Sequence, residues 1–102
     1  MTYTVRFTSA ASDDLDRLYA FVVDRDDAEV ERAERALAAI VSGIATLESS
    51  PFTCRKVHPS MPFLRALIIP FGASGYVALF EIDDSRTVTI LAVRHQRESD
   101  YH

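Results

Sequence analysis

The chain has 102 residues, 48% hydrophobic and 25% charged, which is the size and balance of one globular domain spanning residues 1–102. Its formal net charge of −4 speaks against sequence-independent nucleic-acid binding, which depends on neutralising phosphates with Lys and Arg. No apolar run approaches the roughly 20 residues that cross a bilayer. No secretory signal core follows Met1. No membrane association and a cytoplasmic location are therefore expected.

The charge is unevenly spread. Residues 1–50 hold five arginines and ten acids, net −5, whereas residues 51–102 hold five arginines, one lysine and five acids, net +1. No acid occurs between Ser49 and Phe80, a stretch that contains Arg55, Lys56 and Arg65. An acidic half thus precedes a mildly basic one. The single cysteine, Cys54, cannot close an internal disulfide and reads as a reduced thiol in a loop. No Cys/His cluster has zinc-ligand spacing, so no metal and no cofactor is expected.

In chain order, Tyr3-Thr4-Val5-Arg6-Phe7 alternates apolar and polar residues, the period of a half-buried strand. Thr8 or Ser9 can cap the helix that follows by accepting a bond from a free amide two or three residues on. Asp13, Asp14 and Asp16 lie early in that helix, where its dipole favours negative charge. Ala11, Leu15, Leu18, Tyr19 and Val22 form its apolar face. Asp24-Arg25-Asp26-Asp27 breaks it. A longer helix is expected from about Asp27 to Leu47, with Ala33, Leu37, Ile40, Val41, Ile44 and Leu47 on one face. Glu31 and Arg35 are four apart in the favourable order, while Asp27 and Glu31 are a like-charge pair. Ser49-Ser50-Pro51 ends this helix. Two amphipathic helices with a short link imply an αα-hairpin.

Residues 51–62 contain Pro51, Pro59 and Pro62 and read as loop. Phe63 to Ile69 is an apolar run fit for a strand, and Pro70 to Gly75 is turn chemistry. Tyr76 to Ile82, rich in aromatic and β-branched residues, is a further strand. Asp83-Asp84-Ser85 makes a tight turn, and Thr87 to Val93 is the last strand, with Val88, Ile90 and Ala92 on one face. The order implies an α+β fold: an N-terminal strand, a two-helix hairpin, and a three-stranded antiparallel meander completing one sheet, with the helices covering one face.

Functional side chains are densest in the tail Arg94-His95-Gln96-Arg97-Glu98-Ser99-Asp100-Tyr101-His102. Histidine can move protons near neutral pH, arginine can fork onto phosphate or carboxylate, and tyrosine can donate a bond or stack. The plainer reading of this stretch is a solvated strand end. Arg65 is the one charge inside the run Phe63 to Ile69, on the face of Leu67 and Ile69. It is either a snorkelling arginine paired with a helix carboxylate or a cation presented beside Arg55-Lys56-Val57-His58. Gly72 and Gly75 are too loosely spaced for a phosphate loop, Gly43 marks close helix packing, and Asp83-Asp84 are turn formers.

Two stretches, Leu64-Arg65-Ala66-Leu67-Ile68-Ile69-Pro70-Phe71-Gly72-Ala73-Ser74-Gly75-Tyr76-Val77-Ala78-Leu79-Phe80 and Val88-Thr89-Ile90-Leu91-Ala92-Val93-Arg94-His95-Gln96-Arg97, resemble the RelE/ParE toxin superfamily. The helix pair, with Asp14-Leu15 followed by Leu18-Tyr19, is similar to the family's opening. The resemblance implies a toxin silenced by a cognate antitoxin within a toxin–antitoxin hetero-oligomer. It implies one of two activities, messenger-RNA cleavage on the ribosome (RelE-like) or inhibition of DNA gyrase by binding (ParE-like). RelE-type nucleases carry an arginine directly after Ser-Gly-Tyr, whereas Val77 follows Ser74-Gly75-Tyr76 here. They are also basic and lysine-rich, and this chain has one lysine. Both departures favour the ParE-like branch and a non-enzymatic inhibitor, with Arg65, Arg94, His95 and Arg97 as target contacts. As a ribosome-dependent endoribonuclease, the alternative, the chain would use Arg65, Arg94, His95, Arg97 and Tyr101 in catalysis, although Tyr101 is spaced differently from the family's terminal tyrosine.

Overall fold

A computed structural model describes residues 2–23 and 27–96, the side chains of 21–30 excepted. Strand β1 (Thr4–Phe7) leads into helix α1 (Ser9–Val23), and helix α2 (Asp27–Ala45) follows. Short 3-10 turns at Thr46–Glu48 and Pro51–Thr53 lead to β2 (Arg55–His58), β3 (Met61–Phe71), β4 (Ser74–Ile82) and β5 (Thr87–His95). The strands form one sheet in the order β1-β5-β4-β3-β2, in which β1 runs parallel to β5 and the other neighbours are antiparallel. The expected break at Asp24-Arg25-Asp26 and the apolar role of Val22 lie outside the described residues.

The start of α1 explains how helix and sheet are joined. The Thr8 hydroxyl accepts a bond from the Ala11 amide at 3.0 Å, the expected N-cap. The Thr8 amide donates to the Ile90 carbonyl at 3.0 Å, and its hydroxyl donates to the Leu91 carbonyl at 3.3 Å. The chain therefore leaves β1 still bonded to β5, and α1 continues along the edge of β5 that the four-residue β1 leaves bare. In α2 the Glu31–Arg35 pair forms, at 3.3 Å.

The core lies between the helices and one sheet face. Phe80, Val88, Ile90 and Val93 from the sheet meet Ala11, Ala36, Ile40, Ile44 and Leu47 from the helical side. Gly43 lets α2 approach β3, since a Cβ there would sit 3.0 Å from the Ile69 side chain. The β3–β4 turn requires glycine twice. Gly72 has φ +62°, and a Cβ on Gly75 would lie 2.3 Å from the Ile69 carbonyl oxygen. At the β4–β5 turn the Asp83 amide donates to the Thr87 carbonyl at 2.9 Å, and the Arg86 amide donates to Asp84 Oδ1 at 2.8 Å. The two acids are turn formers, as their sequence context implied.

Several expectations need correction. Residues 55–58 are strand rather than loop, so the meander has four strands and the sheet five; β3 already begins at Met61 and runs on to Phe71, β4 begins at Ser74, and α2 ends at Ala45, with Leu47 in the 3-10 turn. Val41 faces solvent, and Ala36 takes the buried place. Ala92 does not share a face with Val88 and Ile90. A register shift places Phe80 opposite Ile90 but Leu79 opposite Ala92, so Leu91 is an extra residue and Val93 takes the core face instead.

Candidate target-binding face

The sheet face turned away from the helices is concave and apolar at its floor. Strand alternation and register place Ala66, Leu79 and Ala92 in one cross-strand row and Ile68, Val77 and Arg94 in the next. Arg55, Lys56 and Val57 of β2 wall one side, and Arg94 stands on the other. The concavity has a volume of about 710 Å3. Its cations therefore stand at two rims, with small and aliphatic side chains between them.

Arg94 is held in place by α1. Asp14 accepts the Val93 amide at 2.9 Å and a bond from Arg94 Nη1 on the same carboxylate oxygen, Oδ2. Arg94 Nη1 also donates to the Val93 carbonyl at 3.1 Å, and Arg17 reaches the other oxygen of Asp14 at 3.8 Å. The Arg94 side chain remains 33% exposed. The carboxylate thus satisfies an amide on the uncovered edge of β5 and orients the guanidinium at the rim.

The other expected site residues do not join it. Arg65 is only 8% exposed and lies on the helix-side face in register with Phe80. Its Nε donates to the Pro62 carbonyl at 2.7 Å, and its Nη1 donates to the carbonyls of Phe52 and Cys54 at 3.1 and 2.9 Å. The guanidinium also lies 5.3 Å from the Phe52 ring centroid. Arg65 is therefore neither paired with a helix carboxylate nor presented as a free cation. It ties the Pro51–Thr53 turn and the start of β2 to β3. His95 alternates to the face opposite Arg94, where its ring meets Tyr76 edge-on at 5.2 Å and its Nε2 lies 3.2 Å from the Ser74 hydroxyl. Arg97 and Tyr101 lie outside the described residues.

Two perturbed groups flank these sites. Burial pushes the Cys54 thiol above its ordinary range, against the opposing pull of Arg65 and a hydrogen bond from Thr53. Burial also raises the Tyr76 hydroxyl, against Arg32. Sequence reading valued Asp14 for the helix dipole, yet the first turn of α1 holds no acid, and it missed the role of Asp14 at β5, because its partners are 79 and 80 residues away. Among the described residues no group of three or more His, Cys, Asp or Glu is placed to hold a metal ion, and no helix is long and apolar enough to cross a membrane.

A two-helix layer on one side of a five-stranded sheet, with a bare apolar face rimmed by arginine on the other, defines a small toxin of the RelE/ParE class. Residues 5–100 match the family described as ParE toxin of type II toxin-antitoxin system, parDE, and the chain belongs to that family. It is 33% identical over 82 residues to Toxin RelE1 of Caulobacter vibrioides, covering 80% of this chain and 82% of that protein. In fold it is similar to a chain of the chromosomal ParDE TA system from P. aeruginosa, with a TM-score of 0.72 and 21% identity over 92% of this chain and 96% of that one.

Proposed function

We propose that this ParE-family toxin inhibits DNA gyrase by binding rather than by chemistry of its own, and that a cognate antitoxin neutralises it in a hetero-oligomer. The observation that carries the reading is the lining of the open face. Ala66, Val77, Leu79 and Ala92 make its floor, and among the described residues no histidine, carboxylate or hydroxyl side chain lines the concavity, Glu81 and Thr89 standing outside it in the next cross-strand row. Cutting RNA through its ribose hydroxyl needs groups that accept and donate protons beside the scissile phosphate. An apolar floor with cations at its rim suits a protein partner better. Val77, where RelE-type nucleases carry arginine, stands at the centre of this floor and leaves Arg94 as the cation nearest to it in the cross-strand row.

The antitoxin reading rests on the sheet edge. Strand β2 is the last strand of the sheet, and all four of its residues are exposed. An extended segment can add to such an edge through main-chain hydrogen bonds. The name of the structural relative, a ParDE TA system, supports a two-component assembly here as well.

The test is a gel assay of plasmid supercoiling by purified gyrase with the purified chain added. Lost supercoiling and trapped linear DNA are expected. Unchanged supercoiling by a demonstrably folded chain contradicts the proposal and moves the weight to messenger-RNA cleavage, to be sought as new 5′ ends after induction.

A further inference from the structure

The corner of the sheet farthest from β1 carries a second surface. Met61, Phe63 and Arg65 alternate along β3 and so share its helix-side face. Phe52, from the turn before β2, packs edge-on against Phe63 with ring centroids 6.2 Å apart. Phe52, Met61 and Phe63 are each about half exposed. Two aromatic rings and a methionine held out together are costly to leave in water unless something covers them. Beneath them Arg65 is buried with carbonyls as its hydrogen-bond acceptors and Phe52 over its guanidinium. Among the described residues the Arg65 charge is therefore met by carbonyls and a ring rather than by a carboxylate, and the corner stays positive.

The surroundings strengthen that sign. Lys56 is exposed on the adjoining strand in register with Arg65, whereas Arg55, opposite Ala66, belongs to the other face. The sequence has no acid from Ser49 to Phe80. Glu48 precedes the stretch, and Glu81 pairs with Leu64, on the face opposite Phe63. The chain as a whole carries −4, so an acidic partner is repelled by most of the molecule and drawn to this corner.

We infer that the Phe52–Met61–Phe63 corner, with Lys56, is a second surface, besides the open face, through which the toxin docks on an acidic protein surface of its target that offers an apolar recess. The assignment rests on the gyrase reading above and deepens it. The rings enter the recess, and Lys56 meets a carboxylate at its rim. Arg65 acts as a positioning residue, holding the Pro51–Thr53 turn so that Phe52 stays against Phe63.

The experiment measures binding of the intact chain to purified gyrase at two salt concentrations. The variants are Phe52→Ser/Phe63→Ser, Lys56→Glu and, as a control on the exposed side of α2, Val41→Ser. Circular dichroism confirms that each is folded. The aromatic pair is expected to weaken binding roughly 30-fold or more, as loss of a central anchor does. The charge variant is expected to weaken it mainly at low salt, and the control to bind as the parent does. If the aromatic and charge variants both bind as the parent does, the assignment is overturned while the gyrase reading stands. A parent chain that does not bind gyrase overturns both. A parent dimer that the aromatic variant dissolves, with gyrase binding unchanged, makes the corner a contact between two copies and also overturns the assignment.

Discussion

Arg65 and Arg94 both sit in strands among apolar residues, yet the structure gives them different partners and different exposure. Arg94 is tied to a carboxylate, Asp14, that arrives from another layer, and it keeps a third of its side chain at the surface. Arg65 is tied to three carbonyls of its own corner and is almost wholly buried. The difference shows that a cation in an apolar run is defined by its acceptors. A guanidinium buried among main-chain carbonyls is a brace, whereas one oriented by a carboxylate from another layer keeps part of its surface exposed.

The comparison breaks most readily at Arg65. Arg65→Ala removes the donors to three carbonyls and is expected to cost about 3 kcal/mol in denaturant unfolding. If stability is kept while toxicity is lost, Arg65 is a contact residue and the contrast fails. Asp14→Ala is expected to cost about 1–2 kcal/mol, because it leaves the Val93 amide without its acceptor and takes one acceptor from Arg94. Asp14→Asn, which still offers an oxygen to the amide, should recover part of that loss. Arg94→Ala should change stability by less than about 1 kcal/mol and yet abolish growth arrest on induction. A folded Arg94→Ala chain that still arrests growth removes Arg94 from the binding face.

The smallest effect concerns Cys54, whose carbonyl Arg65 holds. Burial raises its thiol, so less thiolate is present near neutral pH than for a free cysteine. Alkylation should therefore be slower than for a free thiol and should keep accelerating as pH rises past the ordinary thiol range. In Arg65→Ala, if folded, the profile should move to still higher pH, because the charge that favours the thiolate is gone.

The order of elements was legible because each has a clean period: alternation in β1, helical spacing in α1 and α2, and β-branched or aromatic runs in β3 to β5. Strand β2 was not, because it is four exposed residues set among prolines and so has neither a burial pattern nor room for a period. The bulge at Leu91 was hidden for a related reason. An extra residue reverses the faces that follow it, and both Ala92 and Val93 are plausible core residues by type. The candidate site was legible only in part. The residue types at Arg94 and His95 were visible in the tail, but which face each occupies depends on that bulge. The anchoring of Arg94 depends on an aspartate 80 positions earlier, which local patterning does not reveal.

The central claim is that this chain stops gyrase by occupying it. The most direct measurement is a titration of the chain into a known amount of gyrase, with supercoiling read at several times. The account predicts inhibition that rises with occupancy, saturates near stoichiometric addition and does not deepen with longer incubation. Inhibition by a small substoichiometric amount that grows with time would mean catalytic turnover and would contradict it.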